Sequence, residues 1–103
     1  MFEPDEDEVS RMAEDEVIQV GKNTKVSVLS QRLMQRFLEQ GWIELETVGT
    51  QGVNQAVKAV AKARQALEAE GYAPVVIPKL VEVPPGQGSQ TVVHLTVVNI
   101  GSL

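Results

Sequence analysis

A chain of 103 residues with 43% hydrophobic and 22% charged side chains is the size of one small domain and leaves no room for a second independent core. It has no cysteine, which excludes disulfides, thiolate metal sites and cysteine nucleophiles, and no apolar run near the roughly 20 residues that span a bilayer, so no membrane association is expected. The net charge of −5 is unevenly spread: residues 1–16 hold eight carboxylates against Arg11 alone, a local −7, whereas the rest holds eight basic and six acidic side chains, a local +2.

Residues 1–16 have few large apolar side chains and dense like charge, which predicts a disordered acidic leader. They show no cationic start followed by an apolar stretch, so a cytoplasmic protein is the default expectation. A single folded domain is expected over residues 17–103. Val17 to Val20 reads as a short strand ended by Gly21, and residues 22–25 form a polar connection in which Asn23 or Thr24 is placed to cap a helix. That helix is predicted over residues 26–40, because Val26, Leu29, Leu33 and Phe37 recur at three- and four-residue steps while Arg32, Gln35, Arg36 and Glu39 fall mostly on the other side. Gly41 stops it.

Trp42 to Val48 predicts a strand with one solvated face, with Leu45 and Val48 among its apolar positions and Glu44, Glu46 and Thr47 among its polar ones. A second helix is predicted over residues 53–70. Its alanines at 56, 59, 63 and 66 would let another backbone lie close, with Val57, Val60 and Leu67 as larger contacts and Gly71 as the C-terminal cap. Two β-branched runs, residues 75–83 and 92–98, are joined by a turn-rich, mobile connection at 84–90, and Pro78 marks the first of them as an edge strand. The order predicts an α/β fold of the two-layer α+β kind, with two helices packed on one face of a mixed four-stranded sheet.

The most informative segment runs from Val48 to Gln65. Gly49 and Gly52 allow a sharp turn where a side chain would clash, and the backbone N–H groups of a helix start beside them suit an anion. Asn54 and Gln55 add uncharged donors, and Lys58 and Lys62 lie one helical turn apart, each able to neutralise a phosphate. The plain alternatives are a structural strand-to-helix turn capped by Thr50 and a solvated lysine face. Lys22 and Lys25 after the first strand supply a second basic contribution, with Arg64 and Lys79 as further contributors. Arg32 and Arg36 read as solvated charge, with an extension of the basic patch or pairing with Glu39 or a partner subunit as the alternative. Trp42 reads as core or dimer packing, with stacking on an unpaired base as the alternative.

The glycine turn lacks the lysine-serine or lysine-threonine ending of a triphosphate-binding loop. The aspartates, Asp5, Asp7 and Asp15, all lie in the leader, and His94, the single histidine, sits in a β-branched strand without a visible ligand partner. No catalytic residue, cofactor or metal site is expected, and the chain reads as a binding protein rather than an enzyme.

The run Asn54-Gln55-Ala56-Val57-Lys58-Ala59-Val60-Ala61, followed by Ala63-Arg64 and preceded by the two glycines, closely resembles the corresponding turn and helix of the stage V sporulation protein S family. Val17-Ile18-Gln19-Val20-Gly21-Lys22-Asn23 resembles the first strand and Gly-Lys loop of the Alba chromatin and RNA-binding proteins. The resemblance spans roughly residues 17 to 100. It implies an Alba-like βαβαββ fold, a homodimer and binding of nucleic acid, RNA or DNA. Lys22 carries over from the Gly-Lys pair and ranks first among the contacts, whereas Lys25 has no clear counterpart in the motif. The expected contact set is Lys22, Lys25, Gly49, Gly52, Asn54, Gln55, Lys58 and Lys62. Two departures stand out: the acidic leader, and a last hairpin whose 84–90 connection carries no Lys or Arg, unlike the basic hairpin of Alba proteins. RNA or single strands are therefore expected at least as much as duplex DNA. The competing expectation is a scaffold for protein partners in a sporulation-like process, without direct nucleic-acid binding. The leader suggests a third idea, an internal phosphate mimic folding over the basic surface.

Overall fold

The structure is a computed structural model and describes residues 17–82 and 91–101. The acidic leader and the 84–90 connection, expected to be disordered and mobile, lie outside the described residues. The elements are β1 (Val17–Val20), α1 (Val26–Gln40), β2 (Trp42–Val48), α2 (Gly49–Ala69), β3 (Pro74–Val81) and β4 (Val92–Asn99). They form the expected two-layer arrangement, with a four-stranded sheet in the order β1-β2-β4-β3. β1 pairs in parallel with β2, and β4 is antiparallel to both β2 and β3.

Both helices lie on one sheet face. Leu29, Leu33 and Phe37 of α1 meet Ile18, Val20, Ile43, Leu45, Leu95 and Val97 of the sheet, and the small side chains of α2 close the gap. Burying a leucine, isoleucine or phenylalanine stabilises by about 1.5–3 kcal/mol, so this one cluster supplies most of the driving force. Gly41, at φ +82, ends α1 in the left-handed region, and its N–H donates to the Phe37 carbonyl. At the end of α2, Gly71 takes φ +92. The N–H groups of Gly71 and Tyr72 there donate back to the Glu68 and Leu67 carbonyls at 3.0 Å each, which is the Schellman pattern. The Tyr72 ring then packs edge-on against Phe37, with centroids 5.6 Å apart.

Three expectations need correction. α2 begins at Gly49 rather than at residue 53, because Gly49, immediately after the strand end, takes φ +76 and turns the chain straight into the helix. The two glycines thus occupy the first helical turn and not a separate loop. The buried stripe of α2 is Gly52, Ala56, Ala59, Ala63 and Leu67, so Ala66 faces solvent and Val57 is 54% exposed. In β2 the buried positions are Ile43, Leu45 and Thr47, because strict alternation groups odd residues. Thr47 is accommodated there because its hydroxyl donates to the Val93 carbonyl at 2.9 Å.

β3 is an edge strand, as Pro78 indicates. The Ile100 N–H donates to the Ala73 carbonyl at 3.0 Å. In an antiparallel ladder, hydrogen-bonded pairs alternate with unbonded ones. The odd-numbered residues of β3 therefore bond inward to β4, and the even-numbered backbone groups point to the open edge. Both prolines, Pro74 and Pro78, fall on that outward register, where they remove donors that would template another strand. Replacing Pro74→Thr and Pro78→Thr together is expected to preserve the fold and increase concentration-dependent aggregation, followed by static light scattering. Unchanged scattering would show that the prolines do not protect this edge.

Candidate nucleic-acid interface

The polar connection between β1 and α1, residues 21–25, is closed by its own hydrogen bonds. The Gly21 N–H donates to Thr24 Oγ1 at 2.9 Å, and the Thr24 N–H donates to the Gly21 carbonyl at 3.2 Å. The Thr24 hydroxyl is thus committed to the loop. The residue preceding α1 is Lys25, which makes no side-chain cap, so neither Asn23 nor Thr24 plays the expected capping role. The loop holds Lys22, Asn23 and Lys25 exposed at one end of the sheet.

The first turn of α2 packs directly on this loop. A Cβ at position 52 would stand 2.8 Å from the Val20 carbonyl oxygen and 3.5 Å from Gly21 Cα, a separation only glycine permits here. Three residues later, Gln55 Nε2 donates to the Thr24 carbonyl at 2.8 Å. Gln55 is therefore a tether between two segments 31 residues apart in sequence, and this use of its amide was not legible in the motif. Lys58 and Lys62 follow Gln55 at three- and seven-residue steps, which places them on the same stripe of the helix surface, both exposed. Asn54 is exposed in the same turn region.

Of the backbone donors at the helix start, the Gly49 N–H is taken by the Thr91 carbonyl at 2.8 Å. Val48 precedes the helix and no side chain caps it, so Thr50 is not the cap. The N–H groups of Thr50 and Gln51 lie in the first turn, where an α-helix offers no acceptor four residues back, at the positive end of the helix dipole. The backbone donors available for a phosphate cradle are accordingly these two N–H groups. A shallow depression of about 420 Å³ continues the surface along α1, lined in part by Asn23, Lys25, Val28 and Arg32.

Arg64 and Lys79 do not join this surface. Arg64 pairs with Glu68 on α2 and borders a groove facing β3. Lys79 sits on β3, at the sheet edge opposite β1, and is paired in register with His94. His94 Nε2 lies 3.6 Å from Glu44 Oε2, a partner that the sequence did not reveal because it comes from the neighbouring strand. Among the described residues, no group of three or more His, Asp or Glu side chains gathers as a metal site. No helix among them is long and apolar enough to cross a membrane.

The close approach at Gly52 yields a direct test. Forcing a methyl group against the Val20 carbonyl costs about 1–3 kcal/mol by overpacking, against a gain of about 1 kcal/mol from helix propensity. Gly52→Ala is therefore expected to lower the chemical-denaturation midpoint, while Gly21→Ala, with nothing within 4 Å of its Cβ, changes it little. Equal midpoints for both variants would remove the close-packing role of Gly52.

No curated protein matches the chain. A family match is found over residues 16–100, nearly the whole of the described domain and including both the β1–α1 loop and the Gly49 turn. The glycine turn, the tethering glutamine and the lysine stripe therefore lie within the matched region, and the chain belongs to the stage V sporulation protein S family.

Proposed function

We propose that this protein is a homodimeric nucleic-acid-binding protein, regulatory in a sporulation-related process, whose contact surface is the β1–α1 loop together with the outer stripe of α2. The observation that carries the reading is the Gln55–Thr24 tether, which docks the loop bearing Lys22 and Lys25 onto the helix bearing Lys58 and Lys62. The two pairs of exposed lysines thereby flank one contact between loop and helix. Exposed lysines bind phosphate as point charges, and their effect is local, since screening acts over roughly 8 Å at physiological salt. A net charge of +2 over residues 17–103 is compatible with binding if the cations cluster. The uncovered sheet face presents Glu44 and Glu46 at its centre, which disfavours a polyanion there.

The homodimer is supported by a groove of about 530 Å³ between α2 and β3, lined by Val57, Val60, Ala61, Pro74 and Val76 among others. Its apolar walls are partly open, with Val57 54% and Val76 37% exposed. The blunted edge of β3 argues for association through these side chains rather than by sheet extension. The same groove favours a second reading, a scaffold for protein partners in which nucleic acid plays no part. Binding rather than catalysis is the proposed role in both, in the cytoplasm.

Fluorescence anisotropy with labelled single-stranded RNA, single-stranded DNA and duplex DNA separates the two. The variant Lys22→Ala, Lys58→Ala, Lys62→Ala is expected to bind at least tenfold more weakly. Its slope of log K against log salt should flatten by about 2 to 3, at roughly 0.7 to 0.9 for each phosphate that a lysine no longer neutralises. Affinity and slope equal to those of the unmodified protein would exclude this surface, and no binding by either at low salt would favour the scaffold.

A further inference from the structure

Both helices cover one face of the sheet, and among the described residues nothing packs on the other. When such a face meets water, the outward positions of antiparallel strands are usually polar. Here the register gathers Trp42, Val98 and Val75 in a row at one end of the open face and Val48, Val92 and Val81 at the other. Large apolar side chains in both end rows, Trp42 among them, are the pattern of strands covered on both sides. Between these apolar bands run two rows across all four strands, Val17, Glu44, Thr96 and Ile77 in one and the mixed-charge row Gln19, Glu46, His94 and Lys79 in the other. Glu44 adds a second carboxylate next to His94.

The charge pattern selects the occupant. The acidic leader, with a local −7, would bring like charge onto Glu44 and Glu46, as would nucleic acid. A second copy of the chain brings both signs. Two-fold symmetry about an axis along the strands keeps each apolar end row over its own counterpart. It also carries β2 of one copy over β4 of the other, where Glu46 faces His94, or over β3, where Glu46 faces Lys79, in both directions. Sheets stacked this way pack about 10 Å apart, close enough for the end rows to interdigitate.

We propose that the open sheet face is an isologous, face-to-face interface with a second copy of this chain, distinct from the groove between α2 and β3. Using the two surfaces together gives a tetramer, and using the sheet face alone gives a dimer.

Sedimentation equilibrium of the full chain without nucleic acid tests the interface independently of what the lysine surface binds. Glu46→Lys and Lys79→Glu each make the face repel its own copy, and each is expected to raise the dissociation constant of the sheet-mediated step at least tenfold. An equimolar mixture of the two variants places opposite charge patterns face to face and is expected to recover association comparable to the unmodified protein. That recovery also shows that both variants are folded, since neither side chain belongs to the core. The proposal is overturned if both variants associate like the unmodified chain, if the mixture is no tighter than either variant alone, or if the unmodified chain stays monomeric through the micromolar range.

Discussion

The contact between the first turn of α2 and the end of β1 is the constraint on which the rest of the structure depends. With no side chain at position 52, the helix backbone comes down onto the Val20 carbonyl and the Gly21 loop. That approach sets the rotation of α2, so that Ala56, Ala59, Ala63 and Leu67 follow Gly52 along the sheet-facing side and the larger Val57 is turned outward. Short side chains then keep the helix close along its length, and α1 can pack against both helix and sheet with Leu33 and Phe37 almost fully buried.

The same contact creates the basic surface. A Gly-Lys loop at the end of a strand and a lysine stripe on a helix far along the chain have no local reason to meet. The packing at Gly52 brings them together, and the Gln55–Thr24 hydrogen bond, in a part-buried position, holds the loop in register with the helix. Thr24 in turn closes the loop through Gly21, so the segment carrying Lys22 and Lys25 is ordered by three hydrogen bonds before any ligand arrives. Preorganisation of this kind lowers the entropic cost of binding.

The fold was readable because its signals are periodic: the three- and four-residue apolar steps of α1, the alanine steps of α2, and the β-branched runs interrupted by Pro78. Boundaries and side-chain roles were less readable where tertiary contacts decide them. Gly49 and Gly52 look like a turn in sequence, yet they form the start of a helix because one supplies a positive φ and the other a close approach. Thr47 looks solvated by type, but alternation and a carbonyl partner on β4 bury it. Thr24 and Gln55 carry no sequence mark of their mutual bond, and Glu44 none of its neighbour His94, because each partner is distant in the chain. The candidate contact residues were legible as types and spacings, whereas their division into exposed lysines and structural supports required the packing.

Nucleic acid is proposed to meet the loop and helix surface rather than the sheet, and nitrogen-15 NMR titration of the full chain with a short single-stranded RNA tests this residue by residue. Amide shifts are predicted to concentrate at residues 21–25 and along 50–62, leaving Lys79 and His94 in place. Shifts centred on the open sheet face, or no shifts at low salt, would contradict that assignment.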